Sequence, residues 1–165
     1  MNSTVKVCFV CLGNICRSPL AQGVFEALVK EEGLQDRIII SSAGVSGWHV
    51  GNPPDARMQQ TARDHGIHLN SRARQFQSSD FEQMDLVLAM DHSNLSALKQ
   101  MSAEPELQDK LFLFRSFDPQ HNNDLEVPDP YYGGGKGFET VYQIVDRTCP
   151  KVLDHLKAQL AKKNE

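Results

Sequence analysis

Val5-Lys6-Val7-Cys8-Phe9-Val10, then Cys11-Leu12-Gly13-Asn14-Ile15-Cys16-Arg17-Ser18, then Pro19-Leu20-Ala21-Gln22-Gly23-Val24-Phe25-Glu26-Ala27-Leu28: an apolar run, a compact loop and a helical pattern follow without a break. The first segment is short, rich in β-branched residues and bounded by polar ones, as a buried strand is. Ser18 is a good N-cap and Pro19 suits the first helical position, where a missing N–H costs nothing. Leu20, Val24, Phe25 and Leu28 recur at helical spacing, and Gly33 fits the C-terminal end. The pattern therefore predicts a strand, a tight turn and a helix, with Cys11 at the strand's C-terminal end. Backbone N–H groups that converge above a helix N-terminus bind a tetrahedral dianion.

The loop carries what a phosphoryl transfer needs. The helix N-terminus and the nearby cation favour a thiolate at Cys11. Arg17 offers a planar fork for two phosphate oxygens, which a lysine lacks. N–H groups from Leu12 to Arg17, including those of Ile15 and Cys16, can hold the other oxygens with the Cys11 sulfur in line with phosphorus. Gly13 permits close backbone approach, and Asn14 tolerates a left-handed conformation. Ser18 can donate to the sulfur and ease its departure. A cysteine followed six positions later by an arginine is weak on its own, since cysteine is a common buried residue. The flanking strand and helix, with serine beside arginine, give the spacing its meaning.

Downstream, strand-like and helix-like segments alternate without repeats or low-complexity tracts. Arg37 to Ser42 reads as a second strand, and Pro53-Pro54-Asp55 opens a helix carrying Met58, Ala62 and His65 and closed by Gly66. Leu86 to Met90 is a third strand, with Asp91 capping a helix through Lys99. Leu111 to Phe114 is a short fourth strand. Phe138, Val141, Tyr142, Val145, Cys149, Val152, Leu153 and Leu156 then mark a long helix that Pro150 should kink. Such alternation predicts a single α/β domain over 1–165, a parallel sheet covered by helices on both faces, with ligands at the strands' C-terminal ends. Arg115 to Gly137 contains Pro119, Pro128 and Pro130 and has no periodicity, and long irregular connections are commonly functional. Asp129 in this segment reads as a turn residue before Pro130 when taken alone. Placed over a thiol and a phosphate loop, it reads as the acid a leaving phenolate needs. Trp48, Tyr131 and Tyr132 are the aromatics that could wall such a cleft, with core filling the alternative for Tyr132.

Val10-Cys11-Leu12-Gly13-Asn14-Ile15-Cys16-Arg17-Ser18-Pro19 resembles the signature of the low-molecular-weight protein tyrosine phosphatases, and Asp129-Pro130-Tyr131-Tyr132 resembles that family's distal acid segment. Ser42-Ala43-Gly44, Gly47-Trp48, Arg72-Ala73-Arg74-Gln75 and Met90-Asp91-His92-Ser93-Asn94-Leu95 extend the likeness over nearly the whole chain. The resemblance implies a flavodoxin-like strand order 2-1-3-4, a Cys11 nucleophile, phosphate binding by Arg17 and proton donation by Asp129. It also implies loop support by Asn14 and Ser42, and a reversible Cys11–Cys16 disulfide. Packing beneath the loop is the alternative for Cys16. Mammalian members commonly carry a histidine where this chain has Ser71, so the support around Asn14 departs from their pattern. Related arsenate reductases relay oxidation through two further cysteines near the end of the third strand, and residues 80–100 contain none.

Composition agrees with a small enzyme. With 165 residues, 40% hydrophobic and 23% charged, the chain is long enough for a substantial core. A net charge of −4 without a basic stripe argues against nucleic acid, and no apolar stretch approaches membrane-spanning length. These features, with no signal-like start and four cysteines, suit a reducing, cytoplasmic setting rather than a disulfide framework. Cys8 and Cys149 fall on apolar faces and read as core. The histidines show no ligand spacing with the cysteines, so neither a metal nor another cofactor is expected. The partners expected are phosphotyrosine proteins or small aryl phosphates, acted on by a monomer.

Overall fold

The computed structural model describes residues 3–102, 104–133 and 136–164, the side chain of Tyr132 excepted. Four strands, β1 (Val5–Cys11), β2 (Ile38–Gly44), β3 (Leu86–Ala89) and β4 (Leu111–Leu113), form one parallel sheet in the order β2-β1-β3-β4. The expected order therefore holds. β1 and β2 are in register from Val5↔Ile38 to Cys11↔Gly44, so β2 runs on past Ser42 to the level of the thiol. β4 ends at Leu113 because Phe114–Phe117 turns into a 3-10 helix.

The two faces of β1 follow its period of two. Val5, Val7, Phe9 and Cys11 belong to the core under α1 (Arg17–Glu31) and α6 (Lys136–Lys163), while Cys8 and Val10 belong to the core on the opposite face. Phe9 is fully buried and meets Phe25 and Phe114 edge to face at centroid distances of 5.6 and 5.8 Å. On the other face, Phe76 and Phe81 make the equivalent contact at 5.0 Å. The strands are buried on both sides, which is why they read as continuous apolar runs.

The remaining helices are α2 (Ala56–Asp64), α3 (Asp80–Gln83), α4 (His92–Met101) and α5 (Pro105–Gln108). Asp55 caps α2 by accepting from the Arg57 N–H, and Asp91 caps α4 by accepting from the Asn94 N–H. The two short helices α3 and α5 have too few residues to show a helical period in sequence. Pro150 does not end α6, which runs 28 residues through it. A proline forfeits one helical hydrogen bond, and the apolar stripe from Phe138 to Leu160 is packed on both sides of it.

Candidate active site

Cys11 is the last residue of β1 and α1 begins at Arg17, so residues 12–16 make the whole connection. The N-cap is Cys16 rather than the expected Ser18, no side chain bonds to the cap position, and Pro19 is the third helical residue rather than the first. The helix starts two residues early because the Ser18 side chain is used elsewhere. The loop turns its carbonyls away from the space above the helix: those of Cys11, Leu12, Ile15 and Cys16 accept from the N–H groups of Val45, Ser46, Asp55 and Leu20. Among the described residues, none of the N–H groups from Leu12 to Arg17 has an acceptor. Unpaired N–H groups in a buried or half-buried loop are costly, and these belong to the residues that lead into the N-terminal end of α1, where an anion is favoured.

Asn14 holds the loop from within. Its φ of 59° is left-handed and its side chain is buried. Asn14 Oδ1 accepts from the Arg74 N–H at 3.0 Å, which turns Nδ2 toward Ser18 Oγ (2.8 Å) and Ser42 Oγ (3.0 Å). Ser42 in turn donates to Gln22 Oε1 at 2.5 Å. Ser18 Oγ, already accepting from Asn14, keeps its proton for a partner, and Cys11 Sγ lies 3.0 Å away, closer than the Ala43 carbonyl at 3.4 Å. The Asn14 and Ser18 side chains thus bond to each other beneath the loop, and neither residue is among those that line the cleft. Support of Asn14 comes from the Arg74 backbone, within the Arg72-Ala73-Arg74-Gln75 run, and Ser42 is braced by Gln22, which no motif names.

Arg17 is 2% exposed and ringed by acceptors. Nη1 donates to Asp91 Oδ2 at 2.8 Å and to the Val127 carbonyl at 2.9 Å, and Nη2 lies 3.5 Å from Asp129 Oδ2. Burial works against the cation, but the Cys11 sulfur and the Asp91 and Asp129 carboxylates outweigh it and raise the Arg17 pKa. Asp91 is the residue that sequence undervalued. It reads as a helix cap, yet one oxygen caps α4 while the other orients the guanidinium. Asp129 is fixed by the Tyr131 N–H at 3.0 Å and hangs beside the thiol loop.

The cleft between these groups is lined by Cys11, Leu12, Gly13, Ile15, Cys16, Arg17, Trp48, His49, Asp129 and Tyr131. Trp48 stands at its rim, 78% exposed. The Tyr132 side chain lies outside the described residues. His49 carries no motif that would single it out: its Cδ2 sits 2.9 Å from where a Cβ on Gly13 would be, so Gly13 also makes room for this ring. Arg57 places its guanidinium 5.5 Å from the Tyr131 ring centre and 4.8 Å from that of Phe138, and donates to the Tyr131 carbonyl at 3.3 Å.

A family model described as "Low molecular weight phosphotyrosine protein phosphatase" matches residues 6–164. The chain belongs to that family. A low molecular weight protein-tyrosine-phosphatase of Streptomyces coelicolor is 44% identical over 158 residues, 95% of this chain and 96% of that protein. The low molecular weight phosphotyrosine protein phosphatase of Homo sapiens is 44% identical over 153 residues, 92% of this chain and 96% of its own length. Among solved structures, a protein tyrosine phosphatase from Entamoeba histolytica with Hepes in its active site superposes with a TM-score of 0.90 at 36% identity, covering 94% of this chain and 99% of that one.

The other thiols of this low molecular weight phosphatase are in different surroundings. Burial raises Cys8 to about 11, and its position on the far face of β1 separates it from Cys11. Burial likewise raises Cys16 and Cys149, with the Asp55 charge adding to the effect at Cys16. Among the described residues no helix is long and apolar enough to cross a membrane.

Proposed function

We propose that this phosphatase hydrolyses phosphotyrosine and related aryl phosphate monoesters through a cysteinyl phosphate, with Cys11 as nucleophile, Arg17 as phosphate ligand and Asp129 as acid. The observation that carries the reading is the loop's polarity: the carbonyls of Cys11, Leu12, Ile15 and Cys16 are paired, while among the described residues the N–H groups from Leu12 to Arg17 have no acceptor, around the thiol of Cys11. A phosphate on those N–H groups and the Arg17 fork presents phosphorus to the sulfur, and the loop donors stabilise charge on the equatorial oxygens. The S–P bond forms as the P–O(aryl) bond breaks, and the Asp129 proton goes to the departing oxygen. Water then attacks phosphorus while Asp129 takes its proton. Sulfur leaves with the bonding pair, aided by the Ser18 hydroxyl at 3.0 Å. The wall of Leu12, Ile15, Trp48 and Tyr131 suits an aromatic leaving group, and phosphotyrosine proteins or small aryl phosphates are the partners proposed for a monomeric, cytoplasmic enzyme.

The test is single-turnover kinetics across aryl phosphates of graded leaving-group acidity. In Asp129→Ala, phosphorylation of Cys11 should slow roughly 10²–10⁴-fold for phenols that need a proton. Very acidic phenols leave as anions and should lose far less. Equal loss across the series would remove Asp129 as the acid.

A further inference from the structure

Behind the acid segment lies a buried charged assembly that the proposed chemistry does not use. Arg115 follows directly on the first residue of the 3-10 turn after β4, and its side chain is 8% exposed. Nε donates to Asp118 Oδ2 at 3.0 Å, and Nη1 donates to the Glu126 carbonyl at 2.9 Å, with Asp124 Oδ2 at 3.3 Å. Asp118, fully buried at its side chain, is gripped from α6 by Arg147, whose Nε and Nη2 donate at 2.9 and 3.0 Å, and it also accepts from the Gln120 N–H at 2.8 Å. One guanidinium therefore bridges the start of the connection, at Asp118, to its end, at Glu126. The next residue, Val127, gives its carbonyl to Arg17 and its N–H to the Met90 carbonyl. Asp129 is two residues further on.

Burying the Arg115 and Asp118 charges together, with Arg147 half-buried beside them, is not an economical way to close a loop, because well-packed apolar residues do it at no desolvation cost. What the charged assembly adds is direction: the fork of Arg115 fixes a particular carbonyl at a particular place. We infer that Arg115 is a positioning residue for Asp129, acting through the Glu126 carbonyl to hold the acid at the distance from Arg17 and the sulfur that proton transfer requires. The inference rests on Asp129 being the acid. A displacement of about 1 Å at a reacting group costs on the order of 10²-fold, so the brace need slip only slightly to be felt.

The experiment compares wild type, Arg115→Met, Asp129→Ala and the double variant in single-turnover phosphorylation, using phenyl phosphate and 2,4-dinitrophenyl phosphate. Arg115→Met should lose roughly 10–10²-fold on phenyl phosphate and less than about threefold on the dinitrophenyl ester, which leaves without a proton. In the Asp129→Ala background the same substitution should cost almost nothing more on phenyl phosphate. A merely structural role would lower both substrates equally and add to the loss in the double variant, and either result overturns the inference. If Asp129→Ala itself loses equally on both esters, the acid assignment fails and this inference with it, a pattern distinct from the failure of Arg115 alone. Should the methionine variant not fold, Arg115→Lys keeps a cation beside Asp118 without the fork, and the same leaving-group pattern at smaller size is expected, with equal losses again refuting it.

Discussion

Gly44→Ala is a substitution whose outcome can be worked from distances alone. Gly44 lies at the end of β2 opposite Cys11, and a Cβ there would sit 2.9 Å from the Leu12 carbonyl oxygen, 3.0 Å from the Asn14 nitrogen and 3.0 Å from the Gly13 carbonyl carbon. All three atoms are backbone atoms of the phosphate loop, so no side chain can swing aside. Gly44 cannot retreat either, since its N–H donates to the Arg74 carbonyl and its carbonyl accepts from the Phe76 N–H, both at 2.8 Å. The loop must therefore give way by several tenths of an ångström. Overpacking of this kind costs about 1–3 kcal/mol of stability. Displacing N–H groups aimed at phosphate should lower kcat/KM by roughly 10–10²-fold, with a parallel weakening of inorganic phosphate as a competitive inhibitor. Steady-state hydrolysis of para-nitrophenyl phosphate with phosphate inhibition, alongside a urea melt, measures all three. If kcat/KM and the phosphate inhibition constant stay within about twofold of wild type, the loop is not held by this contact and the steric reasoning is wrong. Gly33→Ala is the contrast: with φ of +72° and no atom within 4 Å of its Cβ, it should cost backbone strain without touching phosphate affinity.

Burial penalises the Asp118 carboxylate, but hydrogen bonds from Arg147, the Gln120 N–H and Arg115 outweigh that and hold its pKa below the ordinary value. Its contribution to stability is therefore present above the unfolded value of about 3.9 and is lost as pH falls through the lower folded value. Asp118→Asn should cost about 3–5 kcal/mol in urea melts at pH 7 and show a flatter stability profile below about pH 5; an unchanged profile would remove Asp118 as a source of acid lability. A reversible Cys11–Cys16 disulfide is also proposed. Hydrogen peroxide would oxidise the Cys11 sulfur to the sulfenic acid with loss of one water, and the Cys16 sulfur would then displace the hydroxyl, which leaves as a second water. Because burial and the Asp55 charge raise Cys16, its attack should speed up with rising pH, and Cys16→Ser should make inactivation hard to reverse by a dithiol. Peptide mapping that finds no Cys11–Cys16 link would end that proposal.

The features legible in the order of amino acids are local. The apolar run of Val5 to Val10, the helical spacing after Arg17 and the Asp91 cap are each written within a few residues, and the four strands and the longer helices followed from signals of that kind. Cys11 and Arg17 could be singled out together because one loop and one helix terminus hold both. The Ser18 cap failed for the reason such rules fail at working sites: the side chain bonds to Asn14 and the Cys11 sulfur instead of the helix backbone. Short α3 and α5 escaped because four residues carry no period.

Contacts between segments distant in the chain were decided by the tertiary structure alone. Arg17 meets Asp91 and Val127 only because parallel strands β1 and β3 end side by side and the connection after β4 crosses back over them. Gln22 reaches Ser42, Arg74 reaches Asn14, His49 packs on Gly13, and Arg115 joins Asp118 to Glu126 across turns that leave no trace in spacing. Periodicity in a sequence records which face of a strand or helix is buried, since burial is repeated at every turn of the element. A hydrogen bond between one atom and another far along the chain is made once, and only the folded sheet brings the two within reach.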